Sequence, residues 1–492
     1  MFEASSPFAL FDYFRVPYAV RPAQDAAGAP GSAAVHWLRP VEQPACARRS
    51  LLWLAPGANR ADRVAAERLG RYQLAGCTFF GHVAADVPQQ ARDVGHGWRP
   101  AEQITDADGH PVAAIWRGRD GSIFLPFDPG EVMLQFWSEG YLNVGRSSLA
   151  AAGPALRRCY YLARPALPRA VQVKLRQAFT RVQARSSFPA WPVEDSLHGL
   201  YRWLFALVAE IVGGPVPFLE LWPAGRSWAL VLTHDVETEA GYRTMGLLRD
   251  AERALGYRSS WNFVAERYQV EDATIRALQD DGCEAGVHGL RHDGRDLASR
   301  RLMEKRLPAM RANADRWDAI GFRSPSTQRD WQLMPRLGFD YDSSYSDTDP
   351  YEPQSGGCCT YLPFFNQSMI ELPITLPQDH TLFCILQEAG ADVWIRKAQF
   401  LRERNGMALV LTHPDYARDP RVAHAYRELL EAFHGDDTAW HALPREVARW
   451  WRERDASTLR RDGGGWRIDG PASVQGRVGL ADAGGLRTDS MR

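Results

Sequence analysis

The stretch Trp228 to Glu237, WALVLTHDVE, joins an apolar run to four polar residues capable of chemistry. A short apolar run rich in Val and Leu, bounded by polar residues, is typical of a buried strand. Similar runs recur downstream, separated by longer stretches of helical character, and this alternation predicts parallel βαβ units. The seven runs are Trp228 to Leu232, Ser260 to Val264, Cys283 to Val287, Ala319 to Phe322, Phe339 to Tyr341, Met369 to Ile374 and Met407 to Leu411.

Seven such units could close into a barrel, and this predicts where functional groups should lie. In a parallel α/β barrel, chemistry takes place at the carboxyl ends of the strands. Five of the seven runs lead directly into polar groups, and we therefore expect one site at this end of the barrel. The five segments are THDVE at 233–237, HGLRH at 288–292, RSP at 323–325, DSS at 342–344 and THPD at 412–415.

His288 and His292 are four positions apart, so a helical turn or a tight loop could bring both imidazoles to one ion. A catalytic divalent metal typically takes three protein ligands drawn from imidazole and carboxylate, which leaves a position for water. A carboxylate from a neighbouring strand end, either Asp235 or Glu237, would complete the set. The sequence thus predicts a divalent metal site.

Together these segments resemble the motifs of the polysaccharide deacetylase family, which is carbohydrate esterase family 4 or the NodB-homology domain. The resemblance spans roughly residues 225 to 455, about half of the chain. THDVE stands where the family's first motif usually reads T-F-D-D, and HGLRH matches the H-S/T-x-x-H motif. RSP matches the Arg-Pro motif, and LTH at 411–413 matches the L-x-H motif. The resemblance implies a distorted seven-stranded (β/α) barrel.

The resemblance also implies roles for the matching residues, with one departure from the family pattern. Val236 follows Asp235 where the family usually has a second Asp, and Val cannot bind a metal. We therefore assign the ligand to the next carboxylate; otherwise Asp235 would be the ligand and the base would be a different group. The implied roles are base for Asp235, acid for His413, partner of the base for Arg323, and metal ligands for Glu237, His288 and His292.

Four further residues are candidates for contact with substrate, each with a structural alternative. Trp331 could line the pocket or pack in the core, and Pro325 follows the motif arginine closely. Asp342 could bind substrate or cap a turn through its side chain. His234 replaces the usual family Phe and could touch the ligand or form hydrogen bonds within the strand end.

The activity implied by the resemblance is hydrolysis of an N-acyl or O-acyl group of a sugar or glycan intermediate. The cofactor would be zinc, with cobalt, nickel, manganese or iron as alternatives, and its bound water would be the nucleophile. Asp235 would take the proton of that water and His413 would protonate the leaving amine, with Asp415 or a backbone carbonyl orienting the imidazole. Two other functions remain open: an allantoinase-like or deformylase-like hydrolase of a small amide, and, because of Val236, a non-catalytic glycan-binding barrel.

The rest of the chain carries no recognisable chemical motif. Residues 1–215 show mixed strand and helix patterns, which predicts an α+β domain of unknown role before the barrel at 216–457. Residues 458–492 are polar and rich in Gly, and we expect a hairpin around Trp466 followed by a loose tail.

Composition excludes some classes of protein and favours a location. The chain of 492 residues has 58 Lys and Arg against 59 Asp and Glu, a net charge of -1, which disfavours nucleic-acid binding. Its seven cysteines are scattered without a C-x-x-C pair, which argues against a disulfide framework and a zinc knuckle. No signal-peptide pattern and no apolar stretch approaching the roughly 18 residues of a membrane span is found. We expect a cytoplasmic protein without a membrane span, and the oligomeric state stays open.

Overall fold

The computed structural model describes residues 8–20, 35–40, 49–54, 69–92, 97–144, 177, 180, 183, 188–352, 354–482 and 485–487. The chain divides into two compact units. One comprises Met1–Ser147, Asp195–Gly225 and Glu453–Arg492, and the other comprises Ser148–Glu194 and Arg226–Arg452. This division differs from the three predicted segments, 1–215, 216–457 and 458–492, because the C-terminal residues belong to the same unit as the N-terminal ones.

The first unit is built on an eight-stranded, largely antiparallel sheet. Among its helices are Pro129–Trp137 and Ser196–Val212. The second of these contributes Tyr201 and Phe205 to an aromatic core, whose rings lie 5.2 and 5.1 Å from the ring of Phe14. The strands of the sheet are Tyr18–Val20, Val35–Pro40, Leu51–Leu54, Gly70–Leu74, Cys77–Gly81, Arg99–Asp106, Pro111–Arg117 and Ile123–Leu125.

The C-terminal segment contains the predicted hairpin, formed by Thr458–Asp462 and Gly465–Asp469, with Trp466 in its second strand. Residues beyond it were expected to form a loose tail. Instead, Val478–Asp482 pairs antiparallel with Val216–Leu219. This strand reads VGLAD, and its apolar residues are too few to stand out in a Gly-rich sequence.

The second unit is built on a nine-stranded sheet. The strands are β1 (Trp228–Val236), β2 (Ser260–Phe263), β3 (Glu284–Val287), β4 (Gly321–Phe322), β5 (Tyr341–Asp342), β6 (Phe364–Asn366), β7 (Met369–Glu371), β8 (Met407–Thr412) and β9 (Ala439–His441). Each of the seven predicted runs overlaps one of these strands, and two additional strands, β6 and β9, were not predicted. β6 contains only three residues and pairs antiparallel with β7, whereas β9 pairs parallel with the start of β1.

The sheet is curled, and its strands other than β6 are parallel. The strand order is β6-β7-β5-β4-β3-β2-β1-β8. The segment that follows β7 reaches β8, since the backbone N–H groups of Thr375 and Leu376 donate to Leu409 O at 3.2 and 3.0 Å. Because parallel strands carry their carboxyl ends to the same edge, this curl brings the polar residues after β1, β3, β4 and β8 together.

Helices follow most of the strands of this unit. Their apolar faces pack on the sheet, as with Leu429 and Leu430, which are 1% and 0% exposed. Among the described residues, no helix combines the length and apolar character needed to cross a membrane. The helices are α1 (Glu239–Arg243), α2 (Gly246–Ala254), α3 (Asp272–Asp280), α4 (Arg300–Trp317), α5 (Asp392–Glu403), α6 (Pro420–Phe433) and α7 (Pro444–Asp455).

Candidate active site

Three predicted ligands converge at the carboxyl ends of β1 and β3. One ligand atom from each of Glu237, His288 and His292 lies within 4.8 Å of the other two. The two imidazole rings have centroids 5.0 Å apart, and His292 Nε2 lies 3.0 Å from Glu237 Oε1. Burial would raise the pKa of Glu237, but the nearby imidazoles, that of His292 above all and also that of His413, hold it well below its ordinary value. The cluster thus offers two nitrogens and an ionised carboxylate.

The chemistry of these atoms fits a divalent metal. Among the described residues, the buried Nε2 atoms of His288 and His292 have no hydrogen-bond partner of acceptable geometry, since the contact of His292 with Glu237 at 3.0 Å is poorly aligned. Such partners are normally present for buried polar atoms. His288 Nδ1 lies 3.0 Å from the backbone oxygen of Arg323, to which it donates, and this leaves the Nε2 lone pair free. Burial lowers the pKa of His288 to about 4, which keeps the imidazole neutral, as ligation requires.

A tight loop, rather than a helical turn, carries the two histidines. Gly289 has φ +65°, and a Cβ there would lie 2.3 Å from Asp296 Oδ2, so only glycine fits. The same carboxylate accepts the N–H of Leu290 at 3.1 Å and is held by Arg306 at 2.7 Å. Asp296 therefore holds the loop that carries the candidate ligands in place.

Asp235 lies beside this cluster, also at the end of β1, but is more deeply buried. Its side chain is 2% exposed, whereas that of Glu237 is 19% exposed. Asp235 Oδ1 accepts from Asn262 Nδ2 at 2.9 Å, and Oδ2 lies 3.6 Å from His288 Nδ1. Burial would raise the pKa of Asp235, yet the charges of His288, Arg323 and His413 bring it below its ordinary value. The carboxylate is therefore ionised and can accept a proton.

Arg323 lies under the site, fully buried, and its Nη1 is 3.7 Å from Asp235 Oδ1. Its Nη2 donates to Thr233 Oγ1 at 3.0 Å and to Ser343 Oγ at 2.9 Å. These hydroxyls hold the guanidinium at a distance where it acts on Asp235 through charge rather than through a hydrogen bond.

His413, at the end of β8, pairs with a residue that the sequence did not indicate. Asp379 Oδ1 lies 2.6 Å from His413 Nδ1, and Asp379 Oδ2 accepts the backbone N–H of His413 at 2.7 Å. Burial would lower the pKa of His413, but Asp379 and the nearby Glu237 and Asp235 raise it to about 10. The prediction that Asp415 or a backbone carbonyl orients this ring was wrong. Asp415 instead contacts the residues that follow Val236.

The protonated imidazole faces the site through its other nitrogen. His413 Nε2 lies 3.9 Å from Glu237 Oε1. Since Asp379 holds Nδ1, the proton on Nε2 is the one available to a bound molecule.

His234 does not line the site; it makes the hydrogen bonds near the strand end that were the alternative to contact with substrate. It lies on the opposite face of β1 from Asp235, because successive side chains of a strand alternate. Its Nε2 is 2.7 Å from Glu252 Oε1 and its Nδ1 is 2.8 Å from Thr412 Oγ1, so it belongs to a buried polar network among the helices. Tyr426 donates to the same Glu252 oxygen at 2.5 Å.

The other three substrate candidates occupy structural positions. Asp342 accepts both the backbone N–H and the hydroxyl of Ser344, each at 2.7 Å, which is the turn cap weighed above. The Trp331 ring stacks 6.1 Å from Phe364, in an aromatic cluster. Pro325 is buried and begins a short 3₁₀ turn.

Asn262 and Asp379 were missed for different reasons. Asn262 lies within β2 in the apolar sequence SWNF, where a lone amide at a buried position on the site face was the available signal. Asp379 lies in a loop before a π-helical turn at His380–Ile385, and only the tertiary fold brings it to His413.

A second cluster of possible ligands, Asp106, Asp108 and His110, lies at a hairpin tip in the first unit. Asp106 Oδ1 accepts the N–H groups of Asp108 and His110, both at 2.9 Å. These bonds and the exposure of the group are those of an ordinary turn.

Comparisons with known proteins give structural matches only. No family model matches the chain, and a search of curated proteins finds no match. Solved structures that match include a Mycobacterium smegmatis protein assigned as a polysaccharide deacetylase, with 20% identity, 49% of this chain and 96% of that chain covered, and a TM-score of 0.40. PuuE allantoinase matches with 19% identity, coverage of 48% and 93%, and a TM-score of 0.39. A family 4 carbohydrate esterase from Streptomyces lividans matches with 16% identity, coverage of 44% and 91%, and a TM-score of 0.30. The family named from the motifs is thus among the matches.

Proposed function

We propose that the second unit is a metal-dependent deacetylase with a distorted seven-stranded (β/α) barrel. Its substrate would be an N-acylated or O-acylated sugar or glycan intermediate. The observation that carries the proposal is the convergence of Glu237, His288 and His292, with two unpartnered Nε2 atoms, beside Asp235 and His413. Zinc suits two imidazoles and one carboxylate, and cobalt, nickel, manganese and iron accept the same donors.

The residues around the cluster supply an acid and a base of opposite protonation states. A bound divalent ion would lower the pKa of a water and polarise the acyl carbonyl. Asp235, ionised and oriented by Asn262, takes a proton from the attacking water as the new C–O bond forms. His413, protonated and held by Asp379, gives the proton on Nε2 to the leaving nitrogen as the C–N bond breaks. The products are a carboxylate and an amine.

Activity on a sugar distinguishes this proposal from a small-amide hydrolase, and turnover distinguishes it from a glycan-binding barrel. The names of the matched structures include both polysaccharide deacetylase and allantoinase, so a small cyclic amide is the natural comparison substrate. With the cytoplasmic location expected from the scattered cysteines of the sequence, the substrate would be an intracellular acylated compound.

The test combines metal content with acetate release. Protein loaded with zinc or cobalt is assayed on N-acetylated sugar oligomers, on O-acetylated sugars and on allantoin. We expect acetate release from a sugar, a loss of about 100-fold or more in kcat for Asp235→Asn with the metal retained, and loss of metal in His288→Ala. Asp106→Asn, in the exposed cluster of the first unit, is the matched control and should leave both unchanged. Sugar binding without any turnover by the metal-loaded wild type would contradict the proposal and favour a glycan-binding barrel.

A further inference from the structure

Asp415 connects the segment that carries the proposed acid, His413, to the segment that carries the proposed metal ligand, Glu237. It lies two residues after His413, on the turn that follows β8, and both of its carboxylate oxygens point to the chain that follows β1. Oδ2 accepts the backbone N–H of Glu237 at 3.2 Å, and Oδ1 accepts the hydroxyl of Thr238. The hydroxyl oxygen of Thr244 also lies 3.2 Å from the backbone oxygen of Pro414, although its single proton has a closer acceptor in Ala240 O at 3.0 Å. The two segments are therefore joined at several points.

The hydroxyl of Thr238 is fully used by this arrangement. It donates to Asp415 and accepts the N–H of Gly241 at 3.2 Å, which makes Thr238 the N-cap of α1. The residue directly after Glu237 is thus tied both to the helix and to the carboxylate. Its backbone has little freedom to turn.

Gly241 allows the carboxylate to come this close. A Cβ at this position would lie 2.1 Å from Asp415 Oδ2 and 2.6 Å from Asp415 Cγ. Any other residue here would push the carboxylate away from the N–H of Glu237. The close approach of Asp415 to this segment therefore requires that residue 241 has no side chain.

On the opposite side, Tyr268 holds the residue before Glu237. Its hydroxyl donates to the backbone oxygen of Val236 at 2.5 Å. The peptide group between Val236 and Glu237 is thus held at both of its polar atoms by side chains from other parts of the unit, since its C=O accepts from Tyr268 and its N–H donates to Asp415. This fixes the direction in which the Glu237 side chain leaves the backbone.

We propose that Asp415 is a positioning residue that orients Glu237 for metal binding, and that it makes metal affinity depend on the turn that carries His413. The inference rests on the proposed function, in which Glu237 is a ligand. It explains why Glu237, two residues after the proposed base Asp235, can act as a metal ligand. The peptide group after Val236 is held by hydrogen bonds and is not a free strand end. Partners that orient metal ligands typically contribute about 10-fold to 100-fold in affinity.

Two variants test this with metal affinity as the readout, measured by competition with a chelator using zinc or cobalt. Asp415→Asn keeps the size of the side chain but removes its charge and has one accepting oxygen, so it can accept from only one of the two donors, the N–H of Glu237 and the hydroxyl of Thr238. Gly241→Ala keeps the carboxylate and displaces it, although alanine favours a helix over glycine by about 1 kcal/mol. We expect both variants to bind metal about 10-fold to 100-fold more weakly than the wild type. Their circular dichroism without metal should match that of the wild type.

Asp419→Asn is the matched control, since Asp419 is a half-exposed carboxylate four residues along the same segment that pairs with Arg421. It should bind metal with wild-type affinity. Wild-type affinity in either test variant would overturn the proposal. A wild type that takes up no metal would contradict the proposed function itself, and this inference with it.

Discussion

Replacing Asp379 by Asn is expected to disable His413 as an acid while leaving the metal site intact. Asp379 is fully buried and makes two contacts with His413, one to Nδ1 at 2.6 Å and one to the backbone N–H at 2.7 Å. An amide of the same shape has one accepting oxygen and one donating nitrogen. One N–H of His413 then faces another donor unless the imidazole gives up its Nδ1 proton, which makes the ring neutral and lets Nδ1 accept from the amide.

The magnitude follows from these contacts. A buried donor left without an acceptor costs about 1–3 kcal/mol, and the negative charge that favours the imidazolium is also lost. The pKa of His413, about 10 with Asp379 present, should fall. General acid catalysis contributes roughly 10²-fold to 10⁴-fold, so we expect kcat to decrease by about 10²-fold at neutral pH. Because the proton is lost at lower pH, the alkaline fall of kcat should also move to lower pH.

The assay is kcat and KM for acetate release across the neutral and alkaline range, with metal content measured on the same samples. Asp392→Asn, an exposed acid in the first turn of α5, serves as the control for loss of a carboxylate. Wild-type kcat in Asp379→Asn, with an unchanged alkaline limb, would refute the role assigned to this pair. Loss of metal together with activity would show instead that Asp379 supports the ligands.

Three further changes test other parts of the structure. His234→Phe, which leaves Glu252 without its imidazole partner, should lower the unfolding free energy by about 1–3 kcal/mol in denaturant titrations and leave metal affinity unchanged; weaker metal binding would place His234 in the site after all. Burial raises the pKa of Asp128 to about 7 from 3.8, so the folded state holds a proton that the unfolded chain releases, and wild-type stability falls as pH rises between these values. Asp128→Asn cannot ionise, and its stability relative to wild type should grow over that window by up to about 4 kcal/mol; a constant difference would contradict this. Gly289→Ala forces a left-handed residue and a contact with Asp296, and calorimetric titration should show metal affinity lowered by about 10-fold or more; wild-type affinity would show that the loop tolerates a side chain.

The strands and ligands of the second unit were predictable because their signals are local. Each buried parallel strand is a short apolar run, and the polar residues that follow it must lie at the same edge of the sheet. His288 and His292 were found from their spacing alone, and the structure brings them to Glu237 rather than leaving them apart. Their roles remain predictions.

Other features depend on contacts between distant parts of the chain. The carboxylate beside His413 is that of Asp379 and not that of Asp415, because the loop after β7 brings Asp379 to His413. Strand alternation, by contrast, was available from the sequence: His234 is one position from Asp235 and so had to face the other side of β1. Asp342 met the strand-end criterion, but Ser344 two residues later makes it a turn cap.

The position of a bound metal tests the central claim most directly. A crystal of the zinc-loaded protein, measured at the zinc absorption edge, should give one anomalous peak in the second unit, bonded to Glu237, His288 Nε2 and His292 Nε2. Asp235 should remain outside the bonding distance, with its hydrogen bond to Asn262 kept. A peak bonded to Asp235 in place of Glu237, or no peak at these histidines, would contradict the account.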